Sequence, residues 1–383
     1  MNNTPMRYVE HPGSFIQEEL TERGWDQADL AYILGMTPQQ LNPIINGKQS
    51  VTPAMAVALG DAFGVSPEFF ANLQKLYDLD HAKQPDPGVK ARATWQSVFP
   101  IREMIKRGWI EDDEQGGDPA LLDLQMLRFF DKNRIEDVPF VGTGNITSHA
   151  AKKQIYGEPT PVQYAWVHRV KKISEMMKAP QFSKKSLIEA LPKIRRHMQD
   201  RDDLVHIPRI LLECGVRFVL VEALPASKID GVCLWNDDQP VIGMTNRLNR
   251  MDNFCFVLRH ECEHIIREDG KEATNAPVDE FDYDLDDLTI PPEEIVANAA
   301  AAEFLIPRKQ VDSFIARKSP FISEADVIAF AARMEINPAI VIGQIQHKSK
   351  NYAWLRKYQT SIREYLLEWD FVDGWGNKAP TGL

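Results

Sequence analysis

The stretch Phe254 to Arg267, Phe-Cys-Phe-Val-Leu-Arg-His-Glu-Cys-Glu-His-Ile-Ile-Arg, constrains this chain more than any other. It is an apolar, helix-like run that contains His260-Glu261-x-x-His264. Residues four apart share one helix face, so both imidazoles can grip one metal ion, and the Glu beside the first can reach a water on that ion. The pattern points to a zinc peptidase. It also makes a demand on the rest of the fold, because a catalytic zinc takes three protein ligands and leaves a position for water. Phe254, Leu258 and Ile265 give the helix a face to bury, and Glu263 reads as the middle of an i,i+4 ladder with Arg259 and Arg267.

The third ligand is expected downstream. Residues 294–305 read as a second helix, with Glu294, Ala297, Asn298, Ala301 and Leu305 on one stripe. Its alanines allow close approach to the first helix; Glu294 would reach the metal, and Asn298, one turn on, would hydrogen-bond a ligand imidazole. Glu293 is the alternative ligand, and both glutamates could instead merely complement the helix dipole after Pro291-Pro292. Upstream, residues 204–214 read as a helix ending at Gly215, and 216–221, 230–235 and 240–244 as strands, the last two joined by the turn signal Asn236-Asp237-Asp238. That hairpin leads into the His260 helix, and a strand edge there can receive an extended peptide by strand addition. The acidic stretch 279–287 reads as an exposed lid, and Tyr283, His347 and Arg308 are candidate oxyanion donors.

Together these elements resemble the ImmA/IrrE family of metallopeptidases. The matching features are the strand after Gly215, the Asp230-Gly231 hairpin, Phe256-x-x-x-His260-Glu261-x-x-His264, and Glu294-x-x-Ala297-Asn298 running into Leu305-Ile306-Pro307. Ile336-Asn337-Pro338 through Gly343, with Gln346, is similar to a segment that often follows in fused members, so the resemblance spans about residues 200–347. Departures are Cys262-Glu263 where Leu-Gly is common, Ala300 for an aromatic and Gln344 for an Arg. The resemblance implies peptide hydrolysis with zinc held by His260, His264 and Glu294 and with Glu261 as general base; its usual target is a transcriptional repressor.

Residues 11–77 read as five short helices with clear punctuation. Pro12 to Arg23 carries Phe15, Ile16 and Leu20 and stops at Gly24; Asp26 caps Gln27 to Leu34, which buries Leu30 and Ile33. Thr37-Pro38-Gln39-Gln40 is a capping-box pattern, and Thr52-Pro53 and Ser66-Pro67 open two more helices. A helix, a Gly-containing turn and a second helix form the helix-turn-helix arrangement. His11-Pro12-Gly13, Gln27 to Ala31, Asn46-Gly47-Lys48, Thr52 to Ala56 and Ser66 to Phe70 resemble HigA-type antitoxins of the XRE helix-turn-helix family. The resemblance implies a homodimer on operator DNA, with Thr37, Gln39, Gln40 and Asn42 facing base edges and Lys48 a phosphate. Two features run against a simple transfer. Pro43 falls inside the recognition helix, and residues 1–82 carry four Lys and Arg against ten Asp and Glu, a local net charge of −6.

The organisation expected is therefore mainly α with a small β-sheet (α+β): a helix-turn-helix domain over 1–82, a helical connecting region over 83–200, a zincin-like metallopeptidase domain over 201–315 and a C-terminal helical segment over 316–383. Residues 84–88 read as a linker, 112–118 as an exposed loop, 324–334 and 352–369 as helices, and the tail from Val372 as loose. Lys171-Lys172, Lys184-Lys185, Lys193, Arg195 and Arg196 form the most basic region, a solvated face or a supplementary DNA surface. Cys214, Cys233, Cys255 and Cys262 lack Cys-x-x-Cys spacing and read as buried hydrophobes. The net charge of −11 disfavours non-specific nucleic-acid binding, and the lack of any apolar span or signal segment reads as cytoplasmic, with no membrane partner. The function expected is a DNA-binding regulator that carries a zinc endopeptidase acting on a protein such as a repressor or antitoxin, with a toxin as a further partner. The alternative is a non-enzymatic antitoxin or repressor whose peptidase-like domain senses a ligand or binds a partner.

Overall fold

The computed structural model describes residues 9–83, 86, 88–111, 119–141, 159–271, 278–279, 291–359 and 361–381. The chain divides into two compact units, Met1–Asp86 and Pro87–Leu383. Among the described residues no helix is long and apolar enough to cross a membrane.

Among its described residues the first unit has five helices: α1 (Pro12–Arg23), α2 (Gln27–Ile33), α3 (Pro38–Ile45), α4 (Pro53–Phe63) and α5 (Pro67–Asp80). Each starts where the sequence puts a cap. Asp26, Thr52 and Ser66 accept backbone N–H bonds through their side chains, Thr37 and Gln40 form a capping box, and four of the helices carry Pro in the first turn. Ile16, Leu20, Leu30, Leu41, Ile44, Leu59, Phe63 and Phe70 fill the core. Gly13 lets α1 meet α3, since a Cβ there would overlap the carbonyl oxygens of Ile44 and Ile45. Ile33, expected inside, is 45% exposed, because α2 ends there and Leu34 packs against the core instead. Pro43 does not break α3 in the middle. The helix ends two residues later, and the Pro43 carbonyl accepts the amides of Lys48 and Gln49 at 2.8 and 3.1 Å.

In the second unit the helices are α6 (Gly88–Gln96), α7 (Ile101–Lys106), α8 (Pro119–Phe129), α9 (Pro161–Glu175), α10 (Lys184–His197), α11 (Ile207–Glu213), α12 (Met251–Arg267), α13 (Pro292–Leu305), α14 (Arg308–Lys318), α15 (Glu324–Met334), α16 (Pro338–Ser349) and α17 (Arg363–Leu366). The strands β1 (Arg217–Val221), β2 (Gly231–Asn236), β3 (Gln239–Met244), β4 (Val278–Asp279) and β5 (Val372–Asp373) form one mixed sheet in the order β4-β2-β3-β1-β5. β2 and β3 are the expected antiparallel hairpin, with Asn236 opposite Gln239, while β1 runs parallel to both β3 and β5.

Strand alternation sends side chains to two separate cores. Phe218, Leu220, Cys233, Ile242 and Met244 point into the core shared with α10, α11, α12 and α16. Val219, Val221, Val232, Leu234 and Val241 point into the other, which contains Trp95, Met104, Trp109, Phe129, Phe130 and Trp166. Helices from the region expected to be a connector thus cover one face of the sheet. The C-terminal helices likewise belong to the first of these cores through Val327, Phe330, Ile340 and Ile345.

Two C-terminal expectations are corrected. Among the described residues of 352–369 there is no long helix, only the 3₁₀ turn Arg356–Tyr358 and the short α17. Nor is the tail loose. Val372 and Asp373 pair with Leu220 and Val221, and Asp373 is 1% exposed. Its carboxylate accepts Arg169 Nη2 and Nε at 2.8 and 3.0 Å, Trp109 Nε1 at 2.6 Å and the Ala379 amide at 3.1 Å. The basic region is dispersed as well: Lys172 pairs with Asp131, Lys185 with Glu189 at 3.8 Å, and Arg195 donates to the carbonyls of Phe304, Leu305 and Met334, closing the ends of α13 and α15. Residues 84, 85 and 87 of the linker, the 112–118 loop and the acidic stretch after Asp279 lie outside the described residues.

Candidate functional site

α12 is buried around most of its circumference. Phe254, Cys255, Val257, Leu258, Cys262 and Ile265 anchor it, and His260, Glu261 and His264 are themselves fully buried. All four cysteines are buried; burial pushes the Cys262 thiol up to about 12 and that of Cys255 well above its ordinary value, so both pack as small apolar groups. Glu263 pairs with Arg259 at 2.8 Å, as its spacing predicts. The ladder stops there, because Arg267 turns to Asp269 at 3.2 Å instead.

α13 lies along α12 with Glu294, Ala297, Ala301 and Leu305 buried, the stripe read from the sequence. Glu293 is exposed on the other side, so of the two glutamates Glu294 faces the imidazoles. Its Oε2 is 3.1 Å from His260 Nε2 and its Oε1 3.4 Å from His264 Nε2; the two Nε2 atoms are 2.9 Å apart. Burial works against the Glu294 charge, but hydrogen bonds and charge from His260 and His264 outweigh it and hold the carboxyl at about 2. Glu294 is therefore a carboxylate at neutral pH.

Both imidazoles are aimed from behind. His260 Nδ1–H donates to Asn298 Oδ1 at 3.1 Å, the partner expected from the sequence, and His264 Nδ1–H donates to Asp269 Oδ2 at 3.0 Å. Nδ1 is thus a donor in each ring, and when the rings are neutral their Nε2 lone pairs and the carboxylate converge on one buried point. Three electron-rich atoms so placed suit a cation. A tetrahedral zinc with bonds of about 2.0–2.2 Å needs ligand atoms about 3.3–3.6 Å apart, within a few tenths of an ångström of the spacings here. These residues therefore fit a zinc ion in chemistry and in spacing, and among the described residues they form the one group of three or more potential ligands.

Glu261 lies over the start of β2. A Cβ at Gly231 would overlap its Oε1 and come within 2.7 Å of Val257 Cγ1, so only glycine admits the carboxylate against the strand. At this point the edge of β2 already carries backbone from the same chain: Gly231 pairs with Asp279 and Val232 with Val278, antiparallel. Of the candidate oxyanion donors, Arg308 is 84% exposed and pairs with Asp312, and Tyr283 lies outside the described residues. His347 is on α16, which packs on α12. Gln344, one of the departures noted above, donates to the Ala302 carbonyl at 3.2 Å and ties α16 to α13.

In the first unit Thr37, Gln39, Gln40, Asn42 and Lys48 are all exposed. Two of the amides are held in place. Gln40 Oε1 accepts the Thr37 amide and hydroxyl at 3.0 and 3.1 Å, while Asn42 Nδ2 donates to Gln27 Oε1 at 3.2 Å and its Oδ1 accepts Asn46 Nδ2 at 3.0 Å. Gln27 is the first residue of the Gln27–Ala31 motif and of α2, but the sequence assigns it no contact.

A helix-turn-helix family profile matches residues 16–70, and the profile described as IrrE N-terminal-like domain matches residues 216–341. Virulence-associated protein A′ of Dichelobacter nodosus is 37% identical over 92 residues, 24% of this chain and 79% of that protein. The uncharacterized HTH-type transcriptional regulator YddM of Escherichia coli K12 is 32% identical over 81 residues, 21% of this chain and 86% of its own. Among solved structures, PA4674 of Pseudomonas aeruginosa in complex with its operator DNA is 33% identical and covers 20% of this chain and 82% of its own, with a TM-score of 0.19.

Proposed function

The chain belongs to the helix-turn-helix family through residues 16–70 and carries an IrrE N-terminal-like, peptidase family M78 domain over residues 216–341, and on that premise we propose that it is a DNA-binding regulator whose second unit is a zinc-dependent endopeptidase acting on a regulatory protein such as a repressor or antitoxin. The observation that carries the proposal is the convergence of His260 Nε2, His264 Nε2 and Glu294 on one buried point beside Glu261. A zinc ion held by those three residues would supply Lewis acidity to a peptide carbonyl and to the attacking water. Glu261 would take the proton of that water and deliver it to the leaving amine nitrogen. Gly231 keeps the Glu261 carboxylate against β2, and Asn298 keeps the His260 ring oriented. In the first unit, Gln39 and the amides held by Thr37 and Gln27 would read base edges in a homodimer, with Lys48 on a phosphate. A toxin would be a further partner.

One observation favours the second reading, a regulator whose peptidase-like domain only senses or binds. The β2 edge at Gly231 and Val232 is paired with β4, so an extended substrate could lie there only after β4 leaves. Glu261→Gln separates the two readings. On the enzymatic reading this variant keeps its zinc and loses cleavage of the partner protein by at least about 100-fold, the scale of general-base catalysis. Normal regulation in cells that carry Glu261→Gln would leave the sensor reading standing.

A further inference from the structure

The turn after α12 holds a residue that the metal motif does not include. Glu268 ends the helix in the left-handed region, φ 61°, and the amides of Glu268 and Asp269 bond back to the carbonyls of Ile265 and His264 at 3.1 and 2.9 Å. This reversal folds Asp269 back along the helix it has just left. There its Oδ2 accepts His264 Nδ1–H at 3.0 Å and Arg267 Nε–H at 3.2 Å, and its own carbonyl accepts Trp235 Nε1 from β2 at 3.0 Å. Two residues on, Lys271 pairs with Asp238 of the hairpin turn at 3.0 Å and lies 5.1 Å over the Trp235 ring. The turn is thus fixed to the hairpin on one side and to a buried imidazole on the other.

We propose that Asp269 is a positioning residue of the metal centre: its carboxylate fixes the tautomer of His264 and aims Nε2 at the point shared with His260 and Glu294. The inference rests on the reading of those three residues as metal ligands. It also makes the two imidazoles unequal. His260 is held by the neutral amide of Asn298, whereas His264 is held by a charged acceptor that is itself oriented by Arg267 and by the backbone of the turn. Removing Asp269 takes away charge and hydrogen bond together; removing Asn298 takes away a neutral hydrogen bond only. Asp269 therefore contributes more than Asn298 to how tightly the ion is held.

The test is zinc affinity of the full chain, measured by competition with a chromogenic chelator for wild type, Asp269→Ala, Asp269→Asn and Asn298→Ala, alongside the unfolding midpoint of each metal-free protein. Asp269→Ala is expected to weaken zinc binding about 10- to 100-fold, the usual effect of losing such a partner, and more than Asn298→Ala does. Asp269→Asn keeps an acceptor oxygen and should lose less while leaving the metal-free midpoint unchanged; it decides the question if the alanine variant does not fold. Wild-type affinity in both Asp269 variants overturns the proposal. So does a lowered metal-free midpoint with unchanged zinc affinity, since that marks a turn that only braces the fold. A wild-type chain that binds no zinc removes the metal reading itself, and this inference with it.

Discussion

Asp373→Ala should destabilise the second unit severely, for reasons that can be counted. Asp373 and Arg169 are each 1% exposed, and the carboxylate is the acceptor for two guanidinium N–H groups, the Trp109 indole and the Ala379 amide. Breaking one side of such a pair leaves a buried charge without compensation, a cost of about 3–5 kcal/mol. The stranded indole and amide would each cost about 1–3 kcal/mol in isolation, but all of these groups share one acceptor, so the losses do not add. About 5 kcal/mol is the expected total, or a fall in Tm of about 10 °C at roughly 2 °C per kcal/mol for a domain of this size. Seven of the eight tryptophans belong to this unit, so urea unfolding followed by tryptophan fluorescence reports on it with little signal from the first. Adding Arg169→Met to Asp373→Ala should recover a large part of the loss, because the uncompensated charge goes with it. A loss below about 1 kcal/mol for Asp373→Ala, or no recovery in the double variant, would show that the C-terminal strand is not latched by this pair.

Three further outcomes follow from buried and exposed polar groups. Burial lowers His168, among Phe129, Phe130 and Tyr164, to about 4 against the attraction of Asp131. The unfolded chain binds that proton more readily, so the stabilisation is complete above about pH 6.5 and is lost as pH falls toward 4, by up to about 3 kcal/mol; His168→Phe should flatten the pH dependence of urea unfolding across that window, and an unchanged slope would assign it to other groups. With DNA from the promoter of its own gene as probe, Gln39→Ala should relax base preference at a cost of about 1–3 kcal/mol, whereas Lys48→Ala should weaken all sequences alike and lower the salt slope by about one. Gln40→Ala is a poorer probe, because Gln40 also caps α3 and its loss would frustrate the helix start. Base preference unchanged in Gln39→Ala would remove that side chain from the reading face.

The parts of the fold legible in the sequence are those written in local chemistry. Caps and prolines at Asp26, Thr37, Thr52 and Ser66 mark the helices of the first unit, and alternation marks β1 to β3. The site was legible because both helices carry their chemistry at fixed spacing: His260 and His264 one turn apart, Glu294 and Asn298 one turn apart on an alanine stripe. What was not legible depended on contacts distant in sequence. β5 is two residues long and exists because β1 offers an edge and Arg169 a charge. The helices from α6 to α9 find the sheet through scattered aromatics that have no pattern until the strands are in place. Asp269 was missed because its role needs a non-glycine residue in the left-handed region at Glu268; the one local signal was a carboxylate five residues after the second histidine. Arg267 read as a ladder partner for Glu263 because spacing alone does not show that the helix ends beneath it.

The proposed function stands or falls on the metal. Zinc content of the purified full-length chain, measured by inductively coupled plasma mass spectrometry for wild type, His260→Ala, His264→Ala, Glu294→Ala and Glu261→Gln, is the most direct test. About one zinc per chain is predicted for wild type and for Glu261→Gln, and a large loss for each of the three ligand variants. Full occupancy in any ligand variant, or a wild-type chain that takes up no zinc, would contradict it.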